Sequence, residues 1–518
     1  MGTLATGRAT VRAASQTDNL TNPSSIRAMS RRRGLFGVSL WLGALFVGSA
    51  ALGAWFLIRP ALASGPYYTV GYNRTTFEYS LQIILLFVPY GLALWAWGRG
   101  SRVPVWVLLG GAIILHVLVL LAPLAQSQDL YQYLFYGKMQ AVHHANPYVA
   151  HPSVFWADPW LAWTSWRWHG QTSVYGPLWM LVSLGVVKAA GDSLGLAFVL
   201  LKLVILGLDL GVMAMIMASG RRSPGGSDRS GWGLLVFAWN PMILVTVPLA
   251  GAVDIVVAGC FIGAVLARRR DRLGVASFLL ALAALTKVYA AAPLLLHLVL
   301  VGRERGWFRA GRQATVVASV AAAAYAPYWA GFQTFRGILE ATGLTNLSLA
   351  GTVQMLVVSA LRSAGIRPPS FTAALIHALS ACGLVAVIAW AIRRVRSERE
   401  LWYGTLMVCA AYLYLTPWFL SWYAIGALAL VAVVPANPLS LPVIAFSATS
   451  MAVPWTLKRP ADWLGTSLIR YVPPVAIFLR ERRRTRRRTV TSPGTGGPVV
   501  TIPAPSTAAL ARSEPAAK

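Results

Sequence analysis

The sequence predicts an all-α, polytopic membrane protein, and three observations carry that reading. Of its 518 residues 57% are hydrophobic and 12% charged, a balance that a water-soluble enzyme does not have. Apolar runs recur along the chain at the length of about 20 residues that a bilayer core requires. The formal charge of +29 is concentrated in clusters that abut those runs: Arg31 to Arg33, Arg268 to Arg272, Arg393 to Arg399 and Arg480 to Arg488. That is how positive-inside loops are distributed, whereas a nucleic-acid-binding protein would gather its charge on one face. No nucleic-acid partner is therefore expected.

Taken in order, residues 1–30 are polar and aperiodic and read as a disordered cytoplasmic tail. Leu35 to Ile58 exceeds a signal-peptide core and reads as a first, uncleaved span. Spans at about 78–97 and 104–124 follow, which places the next stretch, residues 125–191, outside the cell. It is rich in Trp, Tyr, His and Pro, so it reads as an ordered loop with juxtamembrane helices. Were Tyr175 to Gly191 a full span, every later Arg cluster would face outward, so this segment reads as an interfacial helix. Further spans then alternate from about 195 to 329, a second outer loop covers 330–370, and the last spans run to about 479. The total is about fourteen spans with both termini cytoplasmic. The membrane domain thus covers 31–480, and 481–518 form a basic and then disordered tail, its Arg run suited to anionic lipid headgroups.

Charges placed at membrane depth are the first candidates for function, because they are costly unless paired or wet. Asp129 follows the third span, and a helix beginning there puts Asp129, Gln132, Tyr133 and Tyr136 on one face. Two roles stay open from spacing alone, a helix cap behind Ser127 or a general base. Asp254 and Lys287 mark later outer turns, either as an ion pair or as parts of a site. Lys202 and Asp209 lie seven apart on one span and read as a structural contact. The aromatic break Thr416 to Tyr423, which holds Trp422 and Tyr423, fits an interfacial belt as well as a site. Cys260, Cys382 and Cys409 read as packing residues. His143, His144, His151 and His169 have no compact ligand spacing, so no metal is expected.

The ordered set Asp129-Leu-Tyr-Gln-Tyr133, Asn146-Pro-Tyr148, Tyr175-Gly-Pro-Leu178, Gly251-Ala-Val-Asp254, Thr286-Lys287 and Pro417 to Tyr423 resembles the GT-C superfamily of membrane glycosyltransferases. Within it the chain is most similar to bacterial polyprenyl-phosphomannose-dependent α-mannosyltransferases. Ala252 and Val253 depart from the His and Asn that many such proteins carry before the acid. The resemblance implies sugar transfer, of mannose, from a polyprenyl-phosphate donor to a glycan or lipid-linked glycan on the extracytoplasmic face of the cell membrane. It places the general base at Asp129, with Asp158 as a second acid in the same loop.

One carboxylate suffices for inverting transfer, because the donor already carries a phosphate leaving group. That phosphate needs cations or fixed donors, for which Lys287, Arg167, His169 and Arg336 are the candidates, and Asp254 and Tyr175 join Lys287, Arg167 and His169 on the donor-binding side. Tyr133, Tyr136, Trp156, Asp158, Trp422 and Tyr423 are the acceptor-side candidates, since sugars offer apolar C–H faces to aromatic rings. The lipid-linked sugar is a co-substrate, and no cofactor is expected. Two rivals stay open: a polysaccharide polymerase or ligase, marked by the arginines Arg336, Arg362 and Arg367 of the second outer loop, and a lipid or sugar transporter, against which the lack of internal repeats speaks.

Overall fold

The computed structural model describes residues 74–121, 127–220, 226–341, 343–451 and 460–490. The expected first span, the N-terminal tail, Arg31 to Arg33 and the C-terminal tail beyond residue 490 lie outside them, while residues 481–490, expected to begin that tail, continue the helix Pro460–Val490. Among the described residues the regular structure is helical, and extended pairing is limited to an isolated bridge between Ala330 and Phe332.

Apolarity decides where each helix sits. Asp254–Arg268 is apolar nearly all round, and Ile255, Val257, Ala258, Phe261 and Ile262 are fully buried. It packs against Leu273–Ala284, Ile425–Val433 and Leu194–Gly220 and forms the centre of the bundle. Thr372–Arg394 is just as apolar, yet 6% of its span is buried and Leu379 and Val385 stand more than 60% exposed. An apolar helix with so little protein around it is a membrane-associated helix.

Among the described residues, length and apolarity together single out fewer crossings than the fourteen expected of the whole chain. Leu194–Gly220 and Thr372–Arg394 qualify, and a third does if Asp228–Phe237 and Pro241–Leu249, bent by 55°, are one span. Other apolar helices, such as Val105–Leu120, Leu273–Ala284 and Ser440–Thr449, run 10–17 residues. At 1.5 Å per residue these rise about 15–25 Å, short of a hydrocarbon core of about 30 Å. Cys260 and Cys409 are buried as expected of packing residues, but Cys382 is exposed on the Thr372–Arg394 helix.

Arginines beside the apolar runs, one of them from the 268–272 cluster, do more than follow those runs. Arg102 donates to the Trp97 carbonyl at 2.7 Å, Arg269 to that of Val433 at 2.6 Å and Arg303 to that of Ile392 at 2.8 Å. Each guanidinium meets the C-terminal end of a helix, where carbonyls are left unpaired and the dipole favours a cation.

The 55° bend is built from buried polar groups. Asn240 accepts from the Met242 N–H at 2.9 Å, capping the second half, and donates to Ser447 at 2.8 Å. The Ala238 carbonyl that the break frees is taken by His116 Nε2 at 2.7 Å, and His116 Nδ1 in turn meets Asp209 Oδ2. Asp209 therefore pairs with the Val105–Leu120 helix, and Lys202 also reaches that helix, donating to the Leu120 carbonyl. The expected contact between Lys202 and Asp209 is replaced by two separate attachments to one neighbour. Beyond the bend a π-helical turn, Val245–Leu249, delivers the chain to Gly251 and Asp254.

Candidate active site

Asp129 is the first residue of the helix Asp129–Ala141, and Leu130 to Met139 are all buried. This is no surface helix awaiting a cap. The Ser127 hydroxyl accepts from the Asp129 N–H at 3.0 Å, while the Asp129 carboxylate receives the Tyr175 hydroxyl at 3.4 Å. Burial pushes the Asp129 carboxyl above its ordinary value, against the opposing pull of Ser127, Lys287 and Tyr175. Burial together with the Asp129 charge also pushes the Tyr133 and Tyr175 phenols up, so both stay protonated and serve as donors.

The stretch Tyr175-Gly-Pro is fastened directly to Thr286-Lys287. Gly176 N–H donates to the Thr286 carbonyl at 3.1 Å, and Leu178 N–H to that of Leu285 at 3.3 Å. A Cβ at Gly176 would stand 1.9 Å from the Leu285 oxygen, which is why glycine occupies the position. Tyr148, from Asn146-Pro-Tyr148, donates to the Tyr175 carbonyl at 2.7 Å and fixes the other side of the strap. Gly176→Ala is expected to lower thermal stability in detergent by about 1–3 kcal/mol, the usual range for overpacking, and to cut turnover more than stability because it pries Tyr175 from Lys287. Wild-type turnover in that variant would disprove the need for the close approach.

Fastening these segments brings the acids and the lysine together. Lys287 Nζ lies 4.7 Å from the centre of the Tyr175 ring, 5.4 Å from that of Tyr423 and 3.8 Å from Asp254 Oδ2. One phenol, Tyr175, thus has its ring under the lysine and its hydroxyl at Asp129. Asp254 is fully buried and receives the Tyr289 hydroxyl at 2.9 Å, and Tyr289 stacks on Tyr412 at 4.9 Å. Gly251, at φ +76°, turns the Gly-Ala-Val-Asp segment so closely against Leu130 that a Cβ would meet that side chain at 2.6 Å. The first outer loop, the turn before Asp254 and the Lys287 turn therefore share one site.

The other expected residues divide. Tyr133 lies edge-on to Tyr175 at 4.8 Å and to Trp179 at 5.4 Å, and Tyr136 is buried on the same face. Tyr423, an acceptor-side candidate, lies beside Lys287, its ring centre 5.4 Å from Nζ. Trp422 is buried, 8% exposed. Asp158 is engaged: it accepts from Lys138 at 2.9 Å, His143 at 2.8 Å and the Trp160 N–H at 2.8 Å. Burial raises its pKa, and these hydrogen bonds outweigh that and hold it below the ordinary carboxylate value. It clamps the loop and is no free second acid. Arg167 is exposed against the Trp166 ring, and His169 bonds the Thr164 hydroxyl at 2.8 Å. Trp156, at 81% exposure, presents an open face at the loop surface.

Several contributors were not singled out from sequence. Tyr289 follows two residues after Lys287 and its aromatic character is the available signal. Asn346 of the second outer loop exchanges two hydrogen bonds with the backbone of Phe419, and Trp168 lies edge-on to Trp418 at 5.4 Å. The stretches 125–191 and 330–370 thus both hold the aromatic break in place, a relation that spacing does not reveal.

A half-buried acid and a lysine joined through a tyrosine sit on an all-helical apolar body, and the family comparison gives the class: the protein is a glycosyltransferase. The chain belongs to the α-(1→6)-mannopyranosyltransferase family, whose N-terminal-domain description matches residues 6–303, more than half of the sequence. Asp129, Tyr175, Asp254 and Lys287 all fall within the matched range. No individual curated protein and no solved structure matches.

Proposed function

We propose that this mannosyltransferase takes mannose from a polyprenyl-phosphate donor and attaches it through an α-(1→6) linkage to a glycan or lipid-linked glycan. The reaction proceeds with inversion on the extracytoplasmic face of a multi-pass protein of about fourteen spans. Asp129 removes the proton of the acceptor hydroxyl, whose oxygen then attacks the anomeric carbon from the side opposite the phosphate. The bond from that carbon to the phosphate oxygen breaks, and polyprenyl phosphate leaves with the electron pair. Lys287 stands beside the departing phosphate and offsets its growing charge, with Asp254 and Tyr289 holding the lysine in place.

The observation that carries this reading is the Tyr175 bridge, hydroxyl on Asp129 and ring under Lys287. It sets base and phosphate partner on two sides of one phenol, the separation an in-line displacement needs. Tyr175 and Tyr423 belong with the donor, and Tyr133 and Tyr136 line the acceptor side with Trp422 nearby. Arg167, His169 and Trp156 guide substrates at the loop surface. Of the three arginines on which the polymerase or ligase alternative leaned, Arg336, Arg362 and Arg367, the first is engaged by Glu340 at 2.6 Å.

Transfer of radiolabelled mannose by the purified protein in anionic lipid vesicles tests the donor. Label is expected to reach an α-mannan acceptor from polyprenyl-phosphomannose. Equal transfer from a nucleotide-linked mannose would sink the lipid-donor assignment.

A further inference from the structure

Gln132 sits one turn beyond Asp129 on the same helical face as Tyr133 and Tyr136. Its side chain is 3% exposed, and neither its amide nitrogen nor its amide oxygen makes a hydrogen bond of ordinary geometry. The Tyr136 hydroxyl lies close enough to sense both Gln132 and the Asp129 charge, and Tyr175 senses Asp129, Tyr133 and Tyr136 in turn. Amide, carboxylate and three phenols therefore form one cluster. The Tyr136 hydroxyl is within hydrogen-bonding reach of this amide and takes up part of its capacity; a dry carboxamide with the rest left open is unfavourable for folding, and a leucine of similar volume would fill the space without that penalty. A polar group that the fold does not need, beside the acid of the site, is suited to a ligand.

We propose that the Gln132 carboxamide is a sugar-hydroxyl subsite, its nitrogen donating to one and its oxygen accepting from the next of two neighbouring hydroxyls of a hexopyranose held beside Asp129. Each hydroxyl of such a pair both donates and accepts, so a carboxamide meets the pair where an ammonium or a carboxylate would meet half of it. The proposal rests on the reading of Asp129 as the reacting acid for its place in the site. The sugar has two sources, the mannosyl group of the donor and the terminal residue of the acceptor.

Gln132→Leu in the full-length protein separates binding from structure. Its thermal midpoint in detergent is expected to equal or exceed that of the wild type, while kcat/KM falls about 10- to 100-fold, the worth of one or two buried hydrogen bonds. Monodeoxy donors and monodeoxy acceptors identify the source. Removing the matched hydroxyl should cost the wild type a similar factor and cost Gln132→Leu nothing further, and the substrate series in which this happens is the one Gln132 binds. An unchanged kcat/KM overturns the proposal. So does a loss that accompanies a lower thermal midpoint while every deoxy analogue is still discriminated as in the wild type. If Asp129→Asn stays active while Gln132→Leu loses its discrimination, the assignment of the base falls and the subsite stands.

Discussion

Asp129→Asn is expected to lower kcat about 10²- to 10⁴-fold, the usual contribution of a positioned base, with little change in the donor KM. Asparagine keeps the size of the side chain and an oxygen that can accept the Tyr175 hydroxyl, so the fold should survive the change. The pH profile is a second and independent reading. A base works deprotonated, and burial holds the Asp129 carboxyl above its ordinary value. Activity should therefore fall as pH drops through a point higher than the value of about 3.9 of an exposed aspartate. An acidic limb at that ordinary value, or full turnover in Asp129→Asn, would remove Asp129 from this role.

Lys287→Met should lower kcat/KM about 10²- to 10³-fold, the range seen when a group that stabilises developing negative charge is lost. It should also move the acidic limb of the profile further toward neutral pH. Lys287 pulls the Asp129 pKa down, and without its charge that pull is gone. Lys287→Arg keeps the charge and should keep the limb. Removal of the lysine alone strands Asp254, which is buried and 3.8 Å from its Nζ, so some loss of thermal stability is expected as well. The double variant Asp254→Asn with Lys287→Met distinguishes the effects: stability should return while turnover does not. Recovery of turnover together with stability would show that the lysine is structural.

The family was legible because short motifs in a fixed order survive without knowledge of packing. The acid at the start of the Asp129 helix, its aromatic face, and the likeness in level of Asp254 and Lys287 could all be read from spacing. What joins them could not. The bonds from Gly176 to Thr286 and from Leu178 to Leu285 are made by backbone groups that every residue carries, so no residue type announces them. Asp158 carried a misleading signal: its loop position suggested a reacting acid, but Lys138 and His143, 20 and 15 residues upstream, fold back and occupy it. Asp209 was assigned the charged residue nearest on its own helix. Its partner, His116, lies on another one, and a lone histidine inside an apolar run leaves no charge pattern to follow. Span counting strained where the chain bends, since hydropathy counts residues along a segment and does not record the 55° turn inside it.

The His116 contact with the Ala238 carbonyl has a consequence for assembly. In hydrocarbon an unpaired carbonyl costs several kcal/mol, and here its donor comes from a helix that lies 122 residues earlier in the chain. The bent segment cannot settle by local pairing alone, and it must wait for Val105–Leu120 and Leu194–Gly220 to be inserted side by side. Synthesis from the N-terminus supplies both before the bend emerges, so the order of translation is also the order in which the turn leading to Asp254 gains its support.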